Sequence, residues 1–443
     1  MQCNPFCSPR LHFNGIWVAF LGLSLLLPTL ADTVIWPDKS GPNRDGTVPE
    51  AIAPLVATEW DETSGKNLVW KTALPEEGHS TPVIIGDTLW FTSANPEGTK
   101  QYLDAVDQKS GKLIHHHLLF ENGNPEPLGN KVNNYAAPSC VADATGLYIH
   151  FGTYGTAKID PTNLKVLWQR RDINCNHFRG PGSSPVLVGN LIVLTFDGVD
   201  DQFVTALDKG TGKTVWLTKR STDYGDLDEN GKPARDGDMR KAYGTPAAVL
   251  VGEQWQLISV GSRALFGYEA LTGKELWTIT HDNYNAAIRP LTKDGLAFIH
   301  TGSSRAHWLG VRLDETTLGD VTKSHVVWDR DKRNARFSSP VIVGERLYQV
   351  TEGGIVSCLN YRTGDQLWSD RLPGTHIAPI LAAGDRFYVF SESGSCVVLK
   401  AGDTKEILAE NHLEVGLQAC PAVGEDGALF LRTKTHLYKI GKQ

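Results

Sequence analysis

Short apolar runs broken by glycine set the pattern of this chain. VIIGDTLWFTSA (83–94), VLVGNLIVLTFD (186–197), VIVGERLYQV (341–350) and ILAAGDRFYVF (380–390) each read as two strands around a Gly-Asp, Gly-Asn or Gly-Glu turn. Runs this short with turn residues on both sides are the mark of strands in a covered sheet. Proline stands at or near the head of each first strand, at Pro82, Pro138, Pro185, Pro246, Pro290, Pro340, Pro379 and Pro421, eight copies spaced 39 to 61 residues apart. Proline cannot donate to a strand ladder, so it belongs at a strand start or edge.

A second string keeps phase with the first. TGKTVW (211–216) recurs as SGKLIH (110–115), TGKELW (272–277) and TGDQLW (363–368), with weaker copies ending in Trp168 and Trp328. An acid or amide precedes it: Asp107, Asp160, Asp208, Glu269, Asp314 or Asn360. The side-chain oxygen bonds turn N–H groups and the glycine takes positive φ, so the string is a turn followed by a strand that ends in tryptophan. The GTGKT within it is not a phosphate loop. The first glycine of G-x-x-x-x-G-K-T would fall at Leu207.

Each copy therefore reads as four short strands in about 40–50 residues, the unit of a propeller blade. After Pro421 the chain supplies only three strands before it ends. The missing fourth lies at the other end, in TSGKNLVW (63–70). The expectation is an all-β single eight-bladed β-propeller closed by an N-terminal strand that completes the last blade, which removes an unpaired sheet edge. The tryptophans are expected between neighbouring blades.

The first 31 residues depart from this pattern. Arg10 is followed by an apolar run, Ile16 to Leu27, and then by PTLAD with small residues at Thr29 and Ala31. That is the grammar of a secretory signal peptide, cut after Ala31. The organisation expected is a signal peptide at 1–31, a lead-in at 32–62 and the propeller at 63–441. The protein is then periplasmic or secreted, with no transmembrane span after cleavage. The run is short beside the roughly 20 residues of a membrane helix. Cleavage takes one positive charge from a net −7 chain, and an acidic balance argues against nucleic acid. Cys140, Cys175, Cys358, Cys396 and Cys420 show no C-x-x-C spacing and read as small buried apolar residues.

The strand-opening proline, the Asp-x-x-T-G-K-x-x-W string and the eight copies together resemble the PQQ-binding-like β-propeller repeat family over about residues 63–441. WPDKSGPNRDG (36–46) is similar to the lead-in of exported members. The family includes quinoprotein dehydrogenases and the BamB-type assembly lipoprotein, which holds no quinone. The resemblance implies PQQ and calcium as cofactors if the chain is a dehydrogenase. Against that, the chain has no adjacent cysteines, and against the lipoprotein, no lipidation cysteine after the apolar run.

Loops entering the first strands share one mouth with the loops between second and third strands. The residues three before each proline include His79, Tyr135, Tyr243, Phe337, His376 and Gln418, and Arg179 and Arg336 stand nearby, as do Arg263, Arg289 and Arg305. A concave, aromatic and locally basic mouth predicts a ligand site for an anion. In TDYGDLDENGKPARDGD (222–238), Asp226, Asp228 and Asn230 before Gly231 match the start of a calcium loop, but Gly237 replaces the closing glutamate. No catalytic motif is present. The function expected is a non-catalytic scaffold that binds a protein, an anionic small molecule or a saccharide at its mouth. The alternatives are a PQQ-dependent oxidoreductase and a polysaccharide-binding module.

Overall fold

A computed structural model describes residues 33–129, 133–303, 306–332 and 334–442. The expected signal peptide lies outside them. Thr33–Gln443 form one compact unit.

Eight small antiparallel sheets make up the ring. Blade one runs Val83–Ile85, Thr88–Ala94, Lys100–Asp107 and Leu113–Glu121, from the central channel outwards. Blade three repeats this with Val186–Val188, Leu191–Asp197, Gln202–Asp208 and Thr214–Lys219. The second strand of blade three, LIVLTFD, is buried at every position because a blade covers each of its faces. The outer strand TVWLTK buries only its tryptophan and half-buries Thr218. Blade eight is Ala422–Val423, Leu429–Arg432 and His436–Ile440, and Leu68–Ala73 from the other end of the chain pairs antiparallel with His436–Ile440. The ring closes as the sequence predicts.

The core is divided among the interfaces between blades. Val141, Tyr148 and Trp168 of blade two pack with Ile192, Leu194, Phe203 and Leu207 of blade three. Trp168 donates its indole N–H to the Lys209 carbonyl oxygen at 2.9 Å, and a Cβ on Gly212 would meet the Trp168 ring at 2.7 Å. Gly212 has φ +69°, so the string GTGKT is a turn against which the previous blade's indole lies. Trp216 repeats the contact at Ala270 and Gly273, and Trp328 at Tyr361 and Gly364. Trp277 does not. Its neighbour, blade five, replaces the turn with an excursion whose Gly319–Asp320 strand pairs parallel to blade four's outer strand, and Trp277 donates to Gln256 Oε1 instead.

Two prolines sit earlier than the sequence phase suggests. Six stand directly before their strands, but the strands after Pro138 and Pro379 begin at Val141 and Leu381. In blade two, Ser139 takes the place held by Thr81, Ser184 and Thr245 in blades one, three and four. These hydroxyls link inner strands round the channel: the backbone N–H of Cys420, Thr81, Ser139 and Ser184 donates to Oγ of Thr81, Ser139, Ser184 and Thr245, at 3.1, 2.8, 3.0 and 2.9 Å. The position selects the hydroxyl, and the proline moves to accommodate it.

The lead-in crosses the channel. Val34–Trp36 pairs with Val83–Ile85 on its channel side. Ala142 N–H donates to the Pro37 carbonyl, Arg44 donates to the Leu187 carbonyl at 3.1 Å, and Gly46 and Val48 exchange backbone bonds with Ala382. Trp36, Val48, Val56 and Trp60 join a core cluster with blades one, seven and eight. These partners sit within the inner strands themselves: Ile84, Ala142, Leu187 and Ala382 are the middle residues of their strands. The segment therefore plugs the channel inside the loops that form the mouth.

Candidate functional site

At the mouth, blades seven, eight, one and two enclose a cavity of about 680 Å³. The loop before blade one contributes Gly78 and His79, that before blade two Asn133 to Tyr135, and that before blade eight Gln418. Arg432 enters from the end of blade eight's second strand. Three residues expected from sequence, His79, Tyr135 and Gln418, thus come together in one place.

Arg432 is the residue that sequence reading missed. Its side chain is 1% exposed, and no carboxylate among the described residues pairs with it. Nη1 donates to the carbonyl oxygens of Ser80 and Thr92 and to the Ser80 hydroxyl, while Nε and Nη2 have no partner. The guanidinium lies 4.5 Å over the Phe91 ring. Burial pushes its pKa down, to about 10, so it stays a cation at neutral pH. The Asn134 amide nitrogen and Gln418 Oε1 in the same cavity are also unpaired. Gln418 Nε2 donates to Glu392, and Lys434 pairs with Glu77 at 3.1 Å, so the rim acids are engaged. His79 is kept neutral by burial and by the charges of Arg432 and Lys434, which push its pKa down to about 3. Tyr135 is 6% exposed, and its hydroxyl donates to the Glu126 carbonyl at 2.7 Å.

A register comparison would have found Arg432. The equivalent positions on second strands are Thr92, His150, Thr195, Val260, His300, Val350 and Phe390. An arginine closing the apolar run ALFL departs from all of them.

The other expected residues are held elsewhere. Tyr243 lies against Gly182 and donates to the His177 carbonyl at 3.2 Å. Arg179 stands over Phe178 and 3.8 Å from Asp238. Arg336 pairs with Glu352 and flanks Phe337. Both ring nitrogens of the buried His376 face backbone carbonyls, of Phe390 and Pro373. Arg289 is in the channel, not at the mouth, and Arg305 lies outside the described residues. In the 222–238 loop, Asp226 pairs with Arg240, and Asp228 Oδ1 accepts the N–H groups of Asn230 and Lys232. Among the described residues no three His, Cys, Asp or Glu side chains gather as a metal set. The five cysteines described are free and buried, and no helix among the described residues is long and apolar enough to cross a membrane.

Eight four-stranded blades, an Asp/Gly turn in most of them and an indole against the next blade's turn define a propeller of PQQ-like repeats. The chain belongs to the family described as outer membrane protein assembly factor BamB, which matches residues 55–216, 200–318 and 313–407. No curated protein sequence matches significantly. Among solved structures, BamB from Moraxella catarrhalis is similar at 12% identity and a TM-score of 0.55, over 84% of this chain and 99% of that one. The quinohemoprotein alcohol dehydrogenase from Comamonas testosteroni is similar at 12% identity and a TM-score of 0.61, over 93% and 81%. The computationally designed Ika8 protein reaches a TM-score of 0.56 at 10% identity, over 83% and 98%. Likeness at these identities is a likeness of fold, and function has to be argued from the site.

Proposed function

We propose that this protein is an exported, non-catalytic binding propeller whose mouth takes a carboxylate-bearing small molecule, with acidic saccharides the class that fits the lining. The observation that carries this reading is Arg432: buried, without a carboxylate, and with two guanidinium nitrogens unpaired in a cavity of about 680 Å³. A buried charge left uncompensated costs several kcal/mol, and unpaired polar atoms add to that. A ligand carboxylate would take the free edge of the fork in charge-assisted bonds. The Asn134 amide and Gln418 Oε1 would donate to and accept from ligand hydroxyls, and Tyr135 offers an aromatic wall. The volume lies within the usual range of small-molecule sites, roughly 300–1,000 Å³. Export rests on the apolar run at 16–27 and places the protein in the periplasm or outside the cell.

The family's other members raise PQQ with calcium. Arg432 suits the carboxylates of such a quinone. The calcium does not fit: the rim acids Glu77 and Glu392 are engaged by Lys434 and Gln418, and no third acid joins them among the described residues.

Calorimetric titration with galacturonate oligomers and with their neutral counterparts tests the reading. Binding of the acidic form alone is expected, weakened about tenfold or more in Arg432→Gln by loss of the charged bonds. Equal affinity for neutral oligomers, or no binding of any carboxylate at millimolar concentration, overturns it. So does dye reduction with an alcohol or sugar in the presence of PQQ and calcium.

A further inference from the structure

The plugged part of the channel holds a second set of unsatisfied groups, beneath the mouth: Gln418 and Ala419 line the mouth cavity, and Cys420 and Pro421 line this one. Arg289 stands two residues before blade five's inner strand, the place where blades one to four carry hydroxyls, so the hydroxyl girdle stops there and a guanidinium enters the channel. Arg289 is 2% exposed. Nη1 pairs with Asp38 Oδ2 of the lead-in at 2.9 Å, while Nε and Nη2 have no partner. The cavity beside it is also lined by Trp36, Lys39, Ser40, Asp45, Ser339 and Cys420, and has a volume of about 10 Å³. Trp36 is 1% exposed and its indole N–H is unpaired.

Every buried, unpaired side-chain polar atom of this lining is therefore an N–H donor. The charge is one-sided too. Lys39 and Arg289 line the space, and Arg44 approaches from the same segment, against Asp38, which already holds Arg289 Nη1, and Asp45, which caps Thr47. Burial pushes the Lys39 ammonium below its ordinary range, and Arg289 adds to the effect. A water molecule at this point would bring two hydrogens that need acceptors, whereas an anion would accept from all sides. A volume near one water-sized sphere admits a monoatomic ion and excludes sulfate, phosphate or a carboxylate.

We infer that the plugged part of the channel is a halide site, with chloride held by the free guanidinium edge of Arg289, by Lys39 and by the Trp36 indole. The ion neutralises the excess positive charge where the lead-in crosses the channel, and so locks the lead-in to the ring. The site stands independently of the proposed mouth ligand.

Thermal unfolding of the full chain in sodium chloride, sodium bromide and sodium gluconate at equal ionic strength tests this. Gluconate is too large for this cavity, and because it is itself a sugar acid of the kind proposed for the mouth, the salts are compared in Arg432→Gln as well as in the parent. The expected result is a saturable rise in Tm with chloride and bromide that gluconate does not reproduce. Lys39→Met, which leaves the Asp38–Arg289 pair intact, should raise the half-saturating halide concentration about tenfold. Arg432→Gln should keep the whole halide response, which separates this site from the mouth. An anomalous bromide peak beside Arg289 in bromide-soaked crystals is the second expected result. Equal Tm in halide and gluconate, a Lys39→Met response identical to the parent, or a bromide-free cavity in soaked crystals would each overturn the inference.

Discussion

Trp70, on the strand that closes the ring, donates its indole N–H to the carbonyl oxygen of Gln108 in blade one at 3.0 Å. A Cβ on Gly111 would meet the same ring at 2.6 Å. The closure thus repeats the contact that joins ordinary neighbours, as Trp168 does with Lys209 and Gly212. Where blade one carries His115 in place of the tryptophan, the next turn carries Leu164 at φ +60° in place of glycine, so there the indole and the residue without a Cβ depart together. Blade seven departs differently: Ala409 stands in register with the tryptophans, and Trp368 of blade six donates to the Gly402 carbonyl without a turn glycine against its ring.

This separates Gly212 from its neighbour Lys213. Gly212→Ala should lose about 2–4 kcal/mol, from an L residue forced to positive φ and from the clash with Trp168. Lys213→Ala, on an exposed turn, should stay within about 0.5 kcal/mol. Denaturant unfolding reads both. A phosphate loop would show the opposite sensitivity in nucleotide binding, with Lys213 decisive.

The blade count and the closing strand were legible because apolar runs, turns and tryptophans recur in one phase over the chain. His79, Tyr135 and Gln418 were legible from their place before the strand-opening prolines. The lead-in's path was not. WPDKSGPNRDG has no strand or helix period, and its position is set by contacts such as Asp38 to Arg289, far apart in sequence. Arg432 was hidden for a different reason: it ends an apolar run, and only the pairing register shows that its equivalents are mostly apolar or uncharged.

Arg220 and Asp197 form a fully buried, two-bonded pair at 2.9 and 2.7 Å, and Arg220 also reaches Tyr268 and Ser259 of blade four. Both side chains are 1% exposed. Removing one partner strands the other charge. Asp197→Asn or Arg220→Met should each cost about 3–5 kcal/mol, and the double variant less than their sum. Additive losses in a double-mutant cycle would show that the two charges do not act as a pair.

His150 and His300 are fully buried, and burial pushes both pKa values down to about 3. The unfolded chain protonates its histidines near 6.5. The stability these neutral rings contribute is complete above that pH and falls as pH drops below it, until the folded state is protonated near 3. Each contributes a slope of about 1.4 kcal/mol per pH unit. Between about pH 5 and 6, above the range where most carboxylates titrate, His300→Phe should reduce the slope by about one proton. An unchanged slope in urea titrations across that window would mean that His300 is protonated in the native state.

Among the described residues, Asp38 is the lead-in carboxylate that pairs with Arg289. Asp38→Ala leaves that guanidinium buried with no acid partner, and the loss should approach about 3–5 kcal/mol in sodium gluconate. In sodium chloride it should be smaller, since a halide in the adjoining cavity supplies part of the missing negative charge. Arg289→Met in the same background removes the stranded charge, so the double variant should regain stability relative to Asp38→Ala and lose the difference between the two salts. Unfolding free energies for the four proteins in both salts decide the matter. A loss independent of the anion would leave Asp38 as a simple partner of Arg289, and the plug would then be held by the ion pair and by the packing of Trp36 and Trp60 alone.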